Sequence, residues 1–302
     1  ERNSLVGSEM CIRDSNYAYM DELSDEEVAE FKEDGIEQQE AFGDRSLTKS
    51  IADFEMAQIV AEGDSWFDYL PGTDLIDCLR RNHGYSIKNY GDAGDTLENM
   101  VYGTKFKKDS FRPTEPKIHT VLRKIEQLKP KVFLFSGGGN DIAGDEFGSF
   151  LNHAETGLTP LRNEYVDYMI NSVFKKCCED LISKVAKASP DTHIIMHGYG
   201  HTAPTGKAVS LIGFKFAGPW LRPALTAKRI LETDVQTEIV EKMIDSYNEM
   251  LKSLDEKHPL FHHVDLRPMI DANNDWANEL HLKNSAYAKA ADRISDKILE
   301  VC

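Results

Sequence analysis

Five short apolar runs, each leading into small and polar residues and then into a helix-spaced stretch, constrain the architecture of this 302-residue chain more than any other feature. They are Ala57 to Ala61, Tyr85 to Tyr90, Lys131 to Phe135, Thr192 to Met196 and Phe261 to Leu266, and their length and apolar content predict buried strands. Helical spacing predicts helices over Thr73 to Arg81, Pro116 to Leu128, Arg162 to Ala188, Asp234 to Leu254 and Ser285 to Leu299. Strands that alternate with helices imply a parallel sheet covered on both faces, because each crossover must run over one face of the sheet. The length suits one large α/β domain, with no internal repeat or low-complexity tract.

The ends and one insertion stand outside that alternation. Leu5 to Asp14 resembles the translation of a sequencing-library adapter, so residues 1–15 are set aside from fold reasoning as non-native. Residues 16–50 read as an acidic extension with a helix start at Leu23-Ser24-Asp25-Glu26-Glu27, and 51–302 as the functional domain. Residues 202–223 are a Gly/Pro-punctuated apolar insertion, expected as a lid or substrate wall at the sheet's carboxyl edge. Lys and Arg number 35 against 51 Asp and Glu, and the resulting −16 argues against nucleic acid or anionic lipid as the main partner. The five cysteines lack metal or disulfide spacing, and no apolar run reaches the length of a membrane span. A soluble, cytoplasmic protein is expected, with export left open by the uncertain amino terminus. The adjacent Cys177 and Cys178 are expected as one buried and one flanking helix position.

Four loops at the predicted carboxyl edge carry chemistry. Gly63-Asp64-Ser65 places a hydroxyl just after the first strand, where open α/β sheets bind ligands. A serine hydroxyl needs a base to take its proton and amide donors for the oxyanion that its attack creates. Gly94, in Ala93-Gly94-Asp95-Thr96, allows close backbone approach to a ligand. Asn140, in Gly138-Gly139-Asn140-Asp141, offers a further donor, and that run lacks the G-K-[ST] ending of a phosphate-binding loop. His281, between the fifth strand and the last helix, is the available general base.

In this order and placement the four residues resemble the SGNH (GDSL-type) hydrolase superfamily, over roughly residues 55–300. The resemblance implies a flavodoxin-like three-layer α/β/α fold with about five parallel strands. It also implies Ser65 as nucleophile, His281 as base, and an oxyanion hole made by the amides of Ser65 and Gly94 with the Asn140 side chain. One position departs from the pattern: the family's aspartate, three residues before the histidine, is here Asn278. Asn278 or its neighbour Glu279 is therefore expected to orient the imidazole, with Asp275 a weaker alternative.

The expected activity is hydrolysis of short-to-medium acyl or acetyl esters, acetylated sugars included, through an acyl-enzyme. No cofactor or metal is expected; His258, His262 and His263 lack the partners of a metal site. Trp66, His197 and Trp220 are the expected substrate contacts, and the expected partner is a small-molecule ester. The competing readings are a non-catalytic SGNH-like domain that binds a glycan or partner, and a flavodoxin-like flavin or nucleotide binder.

Overall fold

The structure is a computed structural model that describes residues 59–69, 72–144, 146–211 and 214–302. The expected helix start at Leu23, the residues set aside at 1–15 and the first two residues of the expected first strand lie outside the described residues.

β1 (Ile59–Glu62) is buried along its whole length. It turns into α1 (Leu75–His83), which Asp74 caps by accepting from the Asp77 amide at 2.8 Å. β2 (Ile87–Asn89) and α2 (Leu97–Tyr102) follow, then α3 (Lys117–Leu128), β3 (Val132–Phe135) and the single turn α4 (Gly139–Ile142). The stretch expected as one long helix is α5 (Asn163–Tyr168), a π-helical segment (Met169–Phe174) and α6 (Lys175–Ala188). After β4 (His193–His197), the insertion forms an antiparallel hairpin of β5 (Val209–Leu211) and β6 (Phe214–Ala217), followed by α7 (Arg222–Ala227). α8 (Thr233–Lys257), β7 (Phe261–Val264) and α9 (Asn284–Val301) complete the domain.

Five strands form one all-parallel sheet in the order β2-β1-β3-β4-β7. Alternate side chains feed two cores, as the period-2 geometry of a strand requires. Ile59, Ala61, Val132, Leu134 and Ile195 pack under α1 and α9. Val60, Phe133, Phe135, Ile194 and Met196 pack under α2, α3, α6 and α8. This is a three-layer α/β/α fold.

Both Cys177 and Cys178 are buried, which corrects the expected division between core and flank. α6 packs against α2 and α3 on one side and α8 on the other, so adjacent positions on it are both covered.

The strand order reverses direction between β1 and β3, and a crevice opens at the carboxyl ends of the two strands flanking such a switch. The register pairs Glu62 with Phe135, so the two strands end level, and the Ser136 amide donates to the Glu62 carbonyl at 3.2 Å. The Ser65 and Asn140 loops therefore leave the sheet side by side.

Candidate active site

Asp64 builds the turn that presents Ser65. Its Oδ1 accepts from the Trp66 amide at 3.0 Å while its carbonyl accepts from the Phe67 amide at 3.0 Å, folding the chain back around residue 65. The carboxylate is buried and anchored from two further strand ends: Ser136 Oγ donates to Oδ1 at 2.8 Å and Tyr199 Oη to Oδ2 at 3.0 Å. Ser65 itself stays half-buried, with its hydroxyl free to meet the histidine loop.

That loop is closed by an antiparallel bridge between Trp276 and Leu282, and by the Ala277 amide donating to the His281 carbonyl at 2.9 Å. It is tied to the serine turn by Trp66 Nε1, which donates to the Leu280 carbonyl at 3.0 Å. His281 Nε2 lies 2.8 Å from Ser65 Oγ, and Nδ1 lies 3.1 Å from Asn278 Oδ1.

The backbone fixes which way the Asn278 amide points. Its Oδ1 also faces the amide N–H groups of Leu280 at 3.0 Å and His281 at 2.9 Å, and only an oxygen can accept them. Nδ2 is turned away, toward the Tyr69 hydroxyl at 3.3 Å. The oxygen facing His281 then requires the proton on Nδ1, leaving Nε2 unprotonated to accept from the Ser65 hydroxyl. Tyr69 stacks on the imidazole at 4.1 Å and Trp220 meets its edge at 5.5 Å. Burial without a compensating charge pushes the His281 pKa down to about 3.

Opposite the histidine, the Ala93–Thr96 and Gly138–Asp141 loops are joined by two bonds. Asn140 Nδ2 donates to the Asp95 carbonyl at 2.9 Å, and Asp141 Oδ2 accepts from the Leu97 amide at 2.8 Å. Gly94 and Gly138 have φ of 79° and 104°, left-handed conformations that favour glycine, and a Cβ at Gly138 would also lie 2.6 Å from the Tyr247 hydroxyl. The amides of Ser65 and Gly94 donate to no acceptor among the described residues. Two unspent amide donors and a carboxamide with one spare hydrogen, beside a hydroxyl paired with an imidazole, are the parts needed to bind a developing oxyanion.

Two expected roles are not where the sequence reading put them. Glu279 does not reach His281: its fully buried carboxylate accepts from the amides of Gly206, Trp220, Leu221 and Arg222 at 2.6–3.1 Å. It faces the insertion, where those four N–H groups have no other acceptor among the described residues. Asp275 likewise turns away, to the Lys289 ammonium at 2.9 Å. His197 is buried beneath the site, stacked on Trp66 at 4.8 Å and bonded to Ser136 Oγ at 2.9 Å, so it supports the serine turn and has no surface for substrate.

Trp66 does line the crevice, while half-buried Trp220 stands over His281. His262 pairs with His193 at 2.8 Å and His263 with Asn248 at 3.0 Å. Sequence reasoning missed Tyr69, Asp141 and Tyr199, although Asp141 follows Asn140 directly and Tyr199 lies in a Gly/His-rich segment after β4.

No helix among the described residues is long and apolar enough to cross a membrane. No curated protein matches the chain. Among solved structures, it is similar to the extracellular lipase of Streptomyces rimosus, at 11% identity and a TM-score of 0.50 over 80% of this chain and 99% of the other. It is also similar to a family 3 carbohydrate esterase of Clostridium thermocellum, at 15% identity and a TM-score of 0.46 over 82% and 98%. At 11% identity the likeness to the lipase is one of fold. The family model described as GDSL-like lipase/acylhydrolase matches residues 40–294, and the chain accordingly belongs to that family of ester-bond hydrolases.

Proposed function

We propose that the protein is a serine esterase in which Ser65, His281 and Asn278 act together on a carboxylic ester through an acyl-enzyme. The observation that carries this reading is the 2.8 Å approach of His281 Nε2 to Ser65 Oγ, with the ring in the tautomer that accepts the hydroxyl proton. Ser65 Oγ attacks the ester carbonyl as Nε2 takes its proton. The negative charge that collects on the carbonyl oxygen meets the amides of Ser65 and Gly94 and the free hydrogen of Asn140 Nδ2. His281 then returns the proton to the departing alcohol, and the C–O bond to it breaks. Water, deprotonated by the same nitrogen, attacks the acyl-serine and releases the acid, restoring the hydroxyl.

Asn278 holds the ring but places no charge beside it. The imidazolium that forms during each half-reaction is thus stabilised less than it would be by a carboxylate. Hydrolysis of p-nitrophenyl acetate tests the reading. Ser65→Ala and His281→Ala are each expected to lower kcat by about four orders of magnitude or more. Equal rates in wild type and Ser65→Ala would overturn it.

A further inference from the structure

The crevice beside Ser65 continues into an apolar cavity between α4, the 3-10 turn Glu146–Phe150, Leu221 just before α7, and α8. Ile142, Phe147, Leu221, Val240, Met243 and Ile244 form its apolar wall. The polar side chains that reach this wall are already committed within the protein. Asp64 holds Trp66, Ser136 and Tyr199; Glu279 holds four backbone amides; and Thr202 Oγ1 donates to the Glu279 carbonyl at 3.2 Å. The indoles of Trp66 and Trp276 donate to the carbonyls of Leu280 and His201. A hydroxylated occupant such as a sugar ring would leave its own donors and acceptors unpaired here, whereas a hydrocarbon chain loses nothing on entering.

Which side of the ester enters follows from the position of the base. Ser65 and Asn140 line the cavity together with Trp276, Glu279 and Leu280 of the histidine loop, but the His281 imidazole itself is not part of its wall. The alcohol oxygen must face His281 Nε2 to receive its proton, so the alcohol lies toward His281, Tyr69 and Trp220. The acyl substituent then points to the other side of the carbonyl, away from the histidine.

We propose that this cavity is an acyl-chain site, and that the natural substrates are esters of unbranched medium-chain fatty acids. Acetyl esters, including acetylated sugars, fill only its mouth. The proposal rests on the esterase reading above. It assigns Val240 and Met243 of α8 and Phe147 of the 3-10 turn as the residues that set chain length.

The test is kcat/KM over p-nitrophenyl acetate, butanoate, hexanoate and octanoate, beside a series of alkyl acetates from ethyl to octyl. Each methylene added to the acyl chain is expected to raise kcat/KM about fourfold until the cavity is full, the increment of burying one methylene. Lengthening the alcohol is expected to change it by less than about twofold per methylene. Val240→Phe is expected to reduce the ratio of octanoate to acetate kcat/KM by about tenfold or more, and unfolding by urea shows whether that variant is folded.

An acyl series that is flat or falling from acetate, with hydrolysis still dependent on Ser65, overturns the acyl site and leaves the esterase reading standing. A rise confined to the alcohol series reverses the assignment and overturns it equally. If no ester in either series is hydrolysed in a Ser65-dependent way, both readings fall. Where Val240→Phe does not fold, the two wild-type series decide.

Discussion

Asn278 shows how an amide can occupy a carboxylate's place without presenting the wrong atom. In a free asparagine, either end could face the imidazole, and the NH₂ end would force the proton onto Nε2 and disarm the base. Here the amides of Leu280 and His281 select the oxygen, so only the charge is lost. Asn278→Asp restores that charge about 3 Å from Nδ1, and an opposite charge so close raises a pKa by one to three units. On the proposed mechanism the acid limb of the kcat/KM profile follows His281, so wild-type activity is expected to persist well below pH 6. In Asn278→Asp the limb is expected to move to higher pH and turnover at pH 8 to rise by about tenfold or more; a pH–rate profile checks both. An unmoved acid limb would mean that Asn278 does not govern the base. That Ser65, Gly94, Asn140 and His281 lie at one edge of the sheet was legible in the sequence, because the first three follow strands and the last sits in the final loop. The choice between Asn278 and Glu279 was not, because it turns on which backbone amides lack acceptors, and that is known only once the insertion is folded.

One side chain gathers both ends of the insertion. Glu279 collects four amides from the turn at Gly206 and the segment Trp220–Arg222, and thereby fastens the hairpin and the start of α7 next to the histidine loop. A buried carboxylate with four N–H donors is a charge-assisted cluster whose loss leaves donors unsatisfied. Glu279→Ala is expected to destabilise the protein by about 3–5 kcal/mol, read as a lower midpoint in urea unfolding. A shift of under about 0.5 kcal/mol would show that the insertion is held by its apolar contacts instead. At this scale the strands were legible because apolar runs between polar loops have few other destinations. α2, α4, the 3-10 turn and the hairpin were not: each is too short to show a period, and the bond from the Leu97 amide to Asp141 shows α2 and α4 fixed to each other by a tertiary contact.

The sheet order brings the loops after β1 and β3 together at the switch point, and the same packing buries ionisable groups beneath them. Burial pushes the Glu62 pKa up to about 8 despite Lys117 at 3.5 Å, and those of Asp74 and Asp141 to about 7. A group whose folded pKa is raised stabilises the fold fully below its unfolded value, and that stability is lost as the pH climbs through the folded value. Buried histidines act oppositely: His281, at about 3, and His263, at about 4, favour the fold above about 6.5 and lose that contribution on acidification. Between about pH 6.5 and 8 Glu62 is expected to lower wild-type stability by about 2 kcal/mol, a decline partly offset by a gain of about 0.4 kcal/mol from each buried histidine as the unfolded-state imidazolium finishes titrating. Glu62→Gln should remove that part of the decline in urea unfolding at the two pH values, and an unchanged decline would exclude Glu62 as its source. The claim on which the whole account rests is that Ser65 is a nucleophile activated by His281. Peptide mass spectrometry after treatment with a serine-directed phosphonate tests it most directly. A single adduct on Ser65, slowed about a thousandfold or more in His281→Ala, is predicted; labelling at another residue, or at an unchanged rate without the imidazole, would contradict it.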